Sequence, residues 1–194
     1  MSTRRLFLGA IGGLVLAEAG AAVTSPALPQ TEQEKYWPDF TLQTQEGRNV
    51  RFYSDLIRNR VVVVNAMYTV CTGVCPTNTA SLLALQEALG DRVGKDIFIY
   101  SISLQPDFDS PAALKNYANK YGVKKGWTFL TGKSADIEVL RRKLGFYDSD
   151  PLIDANLSNH AGVFRIGNDL RNRWFMTPAG TSTKQVVASV LNII

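Results

Sequence analysis

The chain has 194 residues, 45% of them hydrophobic and 20% charged, the proportions of a globular domain that can bury its own core. Its formal net charge is +4, without a basic cluster beyond short runs such as Lys124-Lys125 and Arg141-Arg142-Lys143; this speaks against nucleic-acid binding, which calls for a basic stripe carrying aromatics. The two cysteines lie four positions apart, and a bridge closing so short a loop removes little entropy from the unfolded chain, so the pair points to chemistry more than to stability.

Residues 1–22 read as an export signal. Thr3-Arg4-Arg5-Leu6-Phe7-Leu8 has a twin-arginine pattern, an apolar Gly/Ala-rich run follows to Leu16, and Ala17-Glu18-Ala19 and Ala19-Gly20-Ala21 offer small-x-small cleavage sites. The run is short and Gly-rich for a membrane span. The protein is therefore expected in the periplasm, or tethered to the outer face of the inner membrane if the signal stays on. There a disulfide can persist. Residues 23–36, with Pro26 and Pro29, are expected to be a flexible linker, and the domain is expected to span 37–194.

Within that domain, Pro38–Leu42 and Asn49–Tyr53 alternate around Glu46-Gly47-Arg48, the pattern of a hairpin. Val61-Val62-Val63-Val64-Asn65-Ala66-Met67 is a continuous β-branched run, as in a central strand buried on both faces. A helix is predicted over 77–89, with Gly90 ending it. Ile97–Leu104 reads as a second strand. Ser110-Pro111 opens a helix to about Tyr121, with serine as cap and proline in the first turn. Trp127–Thr131 is a short strand, and Ser134 is expected to cap a helix to Leu144. Ala161–Ile166 and Arg171–Met176 form a hairpin turning at Gly167-Asn168-Asp169, and Ser182 starts a last helix to Asn192. Strands alternating with helices imply a mainly parallel α/β sheet. The order is that of a thioredoxin-like domain with an N-terminal β-hairpin extension.

Cys71 and Cys75 follow the buried strand directly. On a helical turn, residues at i and i+4 point the same way, so the two sulfurs can close a disulfide or grip one soft metal ion. The positive end of a helix favours thiolate over thiol. Thr69 and Thr72 are candidate caps for that helix start, and Pro76 is tolerated in a first turn. Three residues separate the cysteines, whereas the thioredoxin redox motif has two. His160 is the sole histidine and stands at the entry to a strand. An incidental loop histidine is the plain reading, but in a thioredoxin-like sheet this loop packs beside the cysteine turn. Two thiolates and an imidazole make a soft, three-ligand set that favours Cu(I), while structural zinc calls for four ligands.

Several segments, in order, resemble the Sco/SenC family of extracytoplasmic copper proteins. Pro38-Asp39-Phe40-Thr41-Leu42 is similar to the family's opening. Tyr68-Thr69-Val70-Cys71-Thr72-Gly73-Val74-Cys75-Pro76 resembles its aromatic-Thr-x-Cys-x-x-x-Cys-Pro motif, and Ser101–Pro111 resembles its Ser-x-Asp-Pro-x-x-Asp-Thr-Pro segment. Asn159-His160 sits where that family has its histidine ligand. The resemblance covers roughly 37–193 and implies a thioredoxin-like fold, with Cys71, Cys75 and His160 as ligands for Cu(I) or Cu(II). It also implies a metallochaperone role in assembling the copper centre of cytochrome c oxidase; some members act instead as thiol-disulfide reductases. Gln105 departs from the family's Asp, although Asp107 and Asp109 are near, and Asp109 is a candidate acid beside the site.

The expected role is thus that of a monomeric copper-binding protein rather than an enzyme. Its expected partner is the copper-centre subunit of cytochrome c oxidase or another copper or thiol protein. The enzymatic alternative is a thiol-disulfide oxidoreductase using Cys71 and Cys75 as a redox pair. Met67, Met176, Tyr68 and Trp127 read as packing residues.

Overall fold

The computed structural model describes residues 31–156 and 162–194. Its strands are β1 (Thr41–Thr44), β2 (Asn49–Arg51), β3 (Val61–Met67), β4 (Ile97–Ser103), β5 (Trp127–Thr131), β6 (Val163–Asn168) and β7 (Arg173–Pro178). Its helices are α1 (Glu32–Tyr36), α2 (Val74–Leu89), α3 (Pro111–Lys120), α4 (Ser134–Leu144), α5 (Pro151–Asp154) and α6 (Thr183–Leu191). Every residue of β3 is buried, as its run of β-branched side chains requires: such side chains pack well on a pleated surface covered from both sides.

The seven strands form one sheet in the order β2-β1-β5-β4-β3-β6-β7. β3 pairs in parallel with β4, and β4 with β5, while both hairpins join the sheet antiparallel. Side chains of β3 alternate between two cores. Val61, Val63 and Met67 pack with Leu82 and Leu85 of α2, Leu114 of α3 and Val186 of α6. Val62, Val64 and Ala66 pack on the other face with Leu140 of α4, Phe52 and Trp37. Each fully buried aliphatic side chain contributes about 1.5–3 kcal/mol, so the sheet centre is the rigid part of the domain. The two cysteines lie at the edge of the first core.

The export segment 1–22 and most of the linker lie outside the described residues. The end of the linker is corrected: Glu32–Tyr36 is helical, not flexible chain. Thr31 and Glu34 cap each other's backbone N–H groups in a capping box, and the Tyr36 hydroxyl donates to the Lys143 carbonyl at 3.0 Å. Residues 31–36, which the sequence assigns to the linker, are thus part of the described fold ahead of Trp37.

Smaller differences have local causes. β2 ends at Arg51 because Phe52 and Tyr53, both buried, enter a π-helical turn over Phe52–Ile57. Lys133, not Ser134, occupies the N-cap position of α4. The last hairpin turns later than expected, since Gly167 and Asn168 still pair with Trp174 and Arg173. Gly167 is needed there: a Cβ would lie 2.1 Å from Cε3 of Trp174, whose indole crosses the strand. Met176 is not core, being 37% exposed on the edge strand, whereas Met67 is buried as expected.

Candidate metal centre

The site is built where β3 ends. The Leu104 N–H donates to the Met67 carbonyl at 2.8 Å, which continues the β3–β4 ladder to the last residue before the cysteine loop. From Tyr68 the chain turns, and the Cys71 N–H donates to the Tyr68 carbonyl at 3.2 Å. α2 begins at Val74, three residues earlier than its apolar spacing suggests. Cys75 is thus in the first turn of α2, and Cys71 lies just before the helix. Both cysteines are free and buried, Cys75 at 1% exposure and Cys71 at 7%.

Neither threonine caps this helix. Gly73 is the N-cap residue and supplies no side-chain bond. The sulfur of Cys71 fills that role, accepting hydrogen bonds from the thiol and backbone N–H of Cys75, the Tyr68 side chain and the Gly73 backbone. A helix start carries unpaired N–H groups and partial positive charge, so this position favours a thiolate. Burial pushes the Cys71 thiol up, but those hydrogen bonds outweigh it and its pKa falls below the ordinary value. Cys75 behaves oppositely. Burial, the hydrogen bond it gives to Cys71 and the nearby charges of Cys71 and Asp109 push it up to about 12, against the lowering effect of the Tyr68 backbone. The pair is asymmetric: thiolate is favoured at Cys71, and the proton is held at Cys75.

Asp109 is near the site, as expected for a candidate acid, but its surroundings define its role more closely. It is fully buried at the end of the loop from β4 to α3. Its carboxylate accepts from the Thr69 N–H at 3.2 Å, from the Thr69 hydroxyl, and from the Ser103 hydroxyl at 2.5 Å. Thr69 is thus occupied by Asp109 and is not available as a cap. Gln105, in place of an acid, is partly buried, and its N–H donates to the Ser103 hydroxyl oxygen at 3.0 Å.

Sequence reasoning missed two participants. Tyr68, read as packing, bonds Cys71; its position three residues before the first cysteine, at the end of a buried strand, was the available signal. Ser103 is the other, and nothing in its spacing marks it. Trp127 is packing, as read, with its Nε1–H donating to the Ser101 hydroxyl at 2.8 Å.

His160 lies outside the described residues, so its place relative to the sulfurs is not part of this geometry. Its flanks are firmly held. α5, before it, is tied to α4 by the buried carboxylate of Asp154, which accepts from Arg141 at 2.7 and 2.9 Å and from Arg142 at 2.9 Å. After it, the Gly162 carbonyl accepts from the Ala179 N–H at 2.9 Å. β6 then runs antiparallel to β3, with Phe164 opposite Asn65, so it enters the sheet at the cysteine end. Among the described residues no third His, Cys, Asp or Glu joins the two cysteines in a metal-binding group.

The sheet and the two-cysteine turn at the head of α2 define a thioredoxin-like thiol domain. The SCO1/SenC family profile matches residues 29–194, and the chain belongs to that family. A SCO1 protein homolog of Bacillus subtilis is 36% identical over 106 residues, which make up 54% of this chain and 53% of that one. A SCO2-like protein of Rickettsia conorii is 30% identical over 136 residues, 61% of this chain and 64% of that one. The chain thus spans between about half and two thirds of the length of the curated relatives it matches. Among solved structures, BsSco, a member of the Sco family of cytochrome c oxidase assembly proteins in which a disulfide switch was identified, superposes with a TM-score of 0.63 at 28% identity, covering 79% of this chain and 90% of that one. Copper-bound ScoI of Bradyrhizobium japonicum superposes with a TM-score of 0.63 at 20% identity, covering 80% and 97%. At that identity the likeness shows the fold.

Proposed function

We propose that this protein is an extracytoplasmic copper-binding metallochaperone that uses Cys71, Cys75 and His160 as ligands and serves the copper centre of cytochrome c oxidase. The observation that carries the reading is the pair of buried sulfurs at the head of α2, one favoured as thiolate and hydrogen-bonded to the other. Two adjacent thiolates suit a soft ion. The chain's sole histidine precedes β6, which enters the sheet at the cysteine end. Membership of the SCO1/SenC family supports the same assignment. Copper would be held by the two sulfurs and the imidazole, in either Cu(I) or Cu(II). Binding would displace the Cys75 proton, so loading is expected to release protons and to strengthen as pH rises. Tyr68 and the first N–H groups of α2 would steady the sulfurs.

A second reading has its own support. The same geometry, with one reactive and one protonated sulfur, is that of a thiol-disulfide reductant. Such a protein would reduce the cysteines of the oxidase copper site and leave delivery of the metal to another carrier. The two are separated by mixing the reduced, copper-loaded protein with a soluble, metal-free copper-centre domain of the oxidase. A chaperone transfers the metal to the already reduced domain. A reductant instead accelerates reduction of the oxidised domain's disulfide without copper. Failure of transfer to the reduced domain overturns the chaperone assignment.

A further inference from the structure

We propose that Asp109 is a positioning residue for the cysteine pair: through Thr69 it fixes the loop between β3 and Cys71, and so biases the pair toward the disulfide. The inference rests on the reading of Cys71 and Cys75 as a functional pair and deepens it.

The carboxylate of Asp109 is fully buried, and such a group is retained only where donors satisfy it. Three do so: the Thr69 N–H, the Thr69 hydroxyl and the Ser103 hydroxyl. Two of these belong to the second residue before Cys71. The third belongs to the last residue of β4, whose register partner is Met67, the last residue of β3. The acid therefore spans the two central strands where they end and holds the first residues of the loop to both. Its own backbone is closed by the bond from the Asp109 N–H to the Gln105 carbonyl at 2.8 Å. Thr69 thus ties the start of the cysteine loop to Asp109 through both its N–H and its hydroxyl. Asp109 does not act as a ligand in this arrangement, because its oxygens are taken up by these donors.

A fixed loop keeps the Cys71 sulfur at a constant spacing from Cys75, which raises the effective concentration of one thiol at the other and favours the bond between them. Removing the acid should therefore release the loop and shift the pair toward the dithiol. Removing only the Thr69 hydroxyl loosens the same link in part and should act in the same direction.

The test is redox equilibration of the full chain with mixtures of reduced and oxidised glutathione. In that exchange a glutathione thiolate attacks one protein sulfur, the Cys71–Cys75 bond breaks, and a second glutathione resolves the mixed disulfide. Two protein thiols and one glutathione disulfide result. Asp109→Ala is expected to move the equilibrium at least about tenfold toward the dithiol, equivalent to roughly 30 mV. Asp109→Asn, which keeps one acceptor oxygen, should fall between wild type and the alanine variant. Thr69→Val should move in the same direction by a smaller factor. If Asp109→Ala does not fold, Thr69→Val carries the test alone, since it leaves Asp109 bonded to Ser103. Folded variants that stay within about twofold of wild type overturn the proposal and leave Asp109 as a brace of the fold. A wild-type protein that forms no Cys71–Cys75 disulfide in any mixture overturns the redox-pair reading itself, a result distinguishable from failure of the variants alone.

Discussion

Equal chemistry at the two cysteines would contradict the geometry of the turn. The Cys71 thiol lies below its ordinary value because four hydrogen bonds outweigh its burial. Cys75 is raised from an ordinary value of 9.0 to about 12 by burial and by its bond to Cys71. The two shifts are opposite in sign, so at neutral pH Cys71 carries the larger thiolate fraction by far. Because the thiolate is the reacting form, limiting iodoacetamide should alkylate the reduced protein at Cys71 almost alone, read by peptide mass mapping. The Cys71 rate should rise along a titration centred below 9, and Tyr68→Phe, which removes one of the donors to Cys71, should move that midpoint up. Alkylation of the two cysteines at matching rates, or at Cys75 first, would refute the assignment of roles.

Other outcomes are expected. In the folded, reduced protein Cys75 holds its proton more tightly than in the unfolded chain, so this group stabilises the fold below about pH 9 and loses that contribution as pH rises toward about 12. The melting temperature of the reduced wild type should therefore fall more steeply over that window than that of Cys75→Ser. Asp154→Ala removes the buried carboxylate that both Arg141 and Arg142 bond, leaving the half-exposed Glu138 as the carboxylate on Arg141, and should cost about 3 kcal/mol in urea unfolding. It should also weaken copper binding if α5 holds the approach to His160. Gly167→Ala forces the Trp174 indole off its strand and should cost about 1–3 kcal/mol, with a shift in tryptophan emission.

The sequence was most legible where one physical signal dominated. The run Val61–Val64 could only be a strand covered on both faces, and it is. Ser110 caps α3 as its type and the following proline suggest. The two hairpins followed from alternation, although the second turns beyond the Gly167 and Asn168 expected of it. Legibility failed where a side chain's use was decided by a distant partner. Thr69 is a good cap by type, but Asp109, 40 positions away, claims it, and the Cys71 sulfur caps α2 instead. Tyr68 looked like packing because an aromatic at a strand end usually is. The short helix Glu32–Tyr36 was hidden by the prolines before it, although Thr31 and Glu34 carry the spacing of a capping box. The loop before β6 shows the limit in the other direction: the sequence singles out His160, and the described geometry reaches only its flanks.

The central claim is that Cys71, Cys75 and His160 hold copper together. It is tested most directly by titrating the reduced full-length protein with Cu(II) and following the sulfur-to-copper charge-transfer absorption, beside Cys71→Ser, Cys75→Ser and His160→Ala. The account predicts an intense band saturating at a single copper per chain. It predicts the band's loss in either serine variant, and a shifted band with weaker binding in His160→Ala. A wild-type protein without the band, or a band unchanged in His160→Ala, would contradict it.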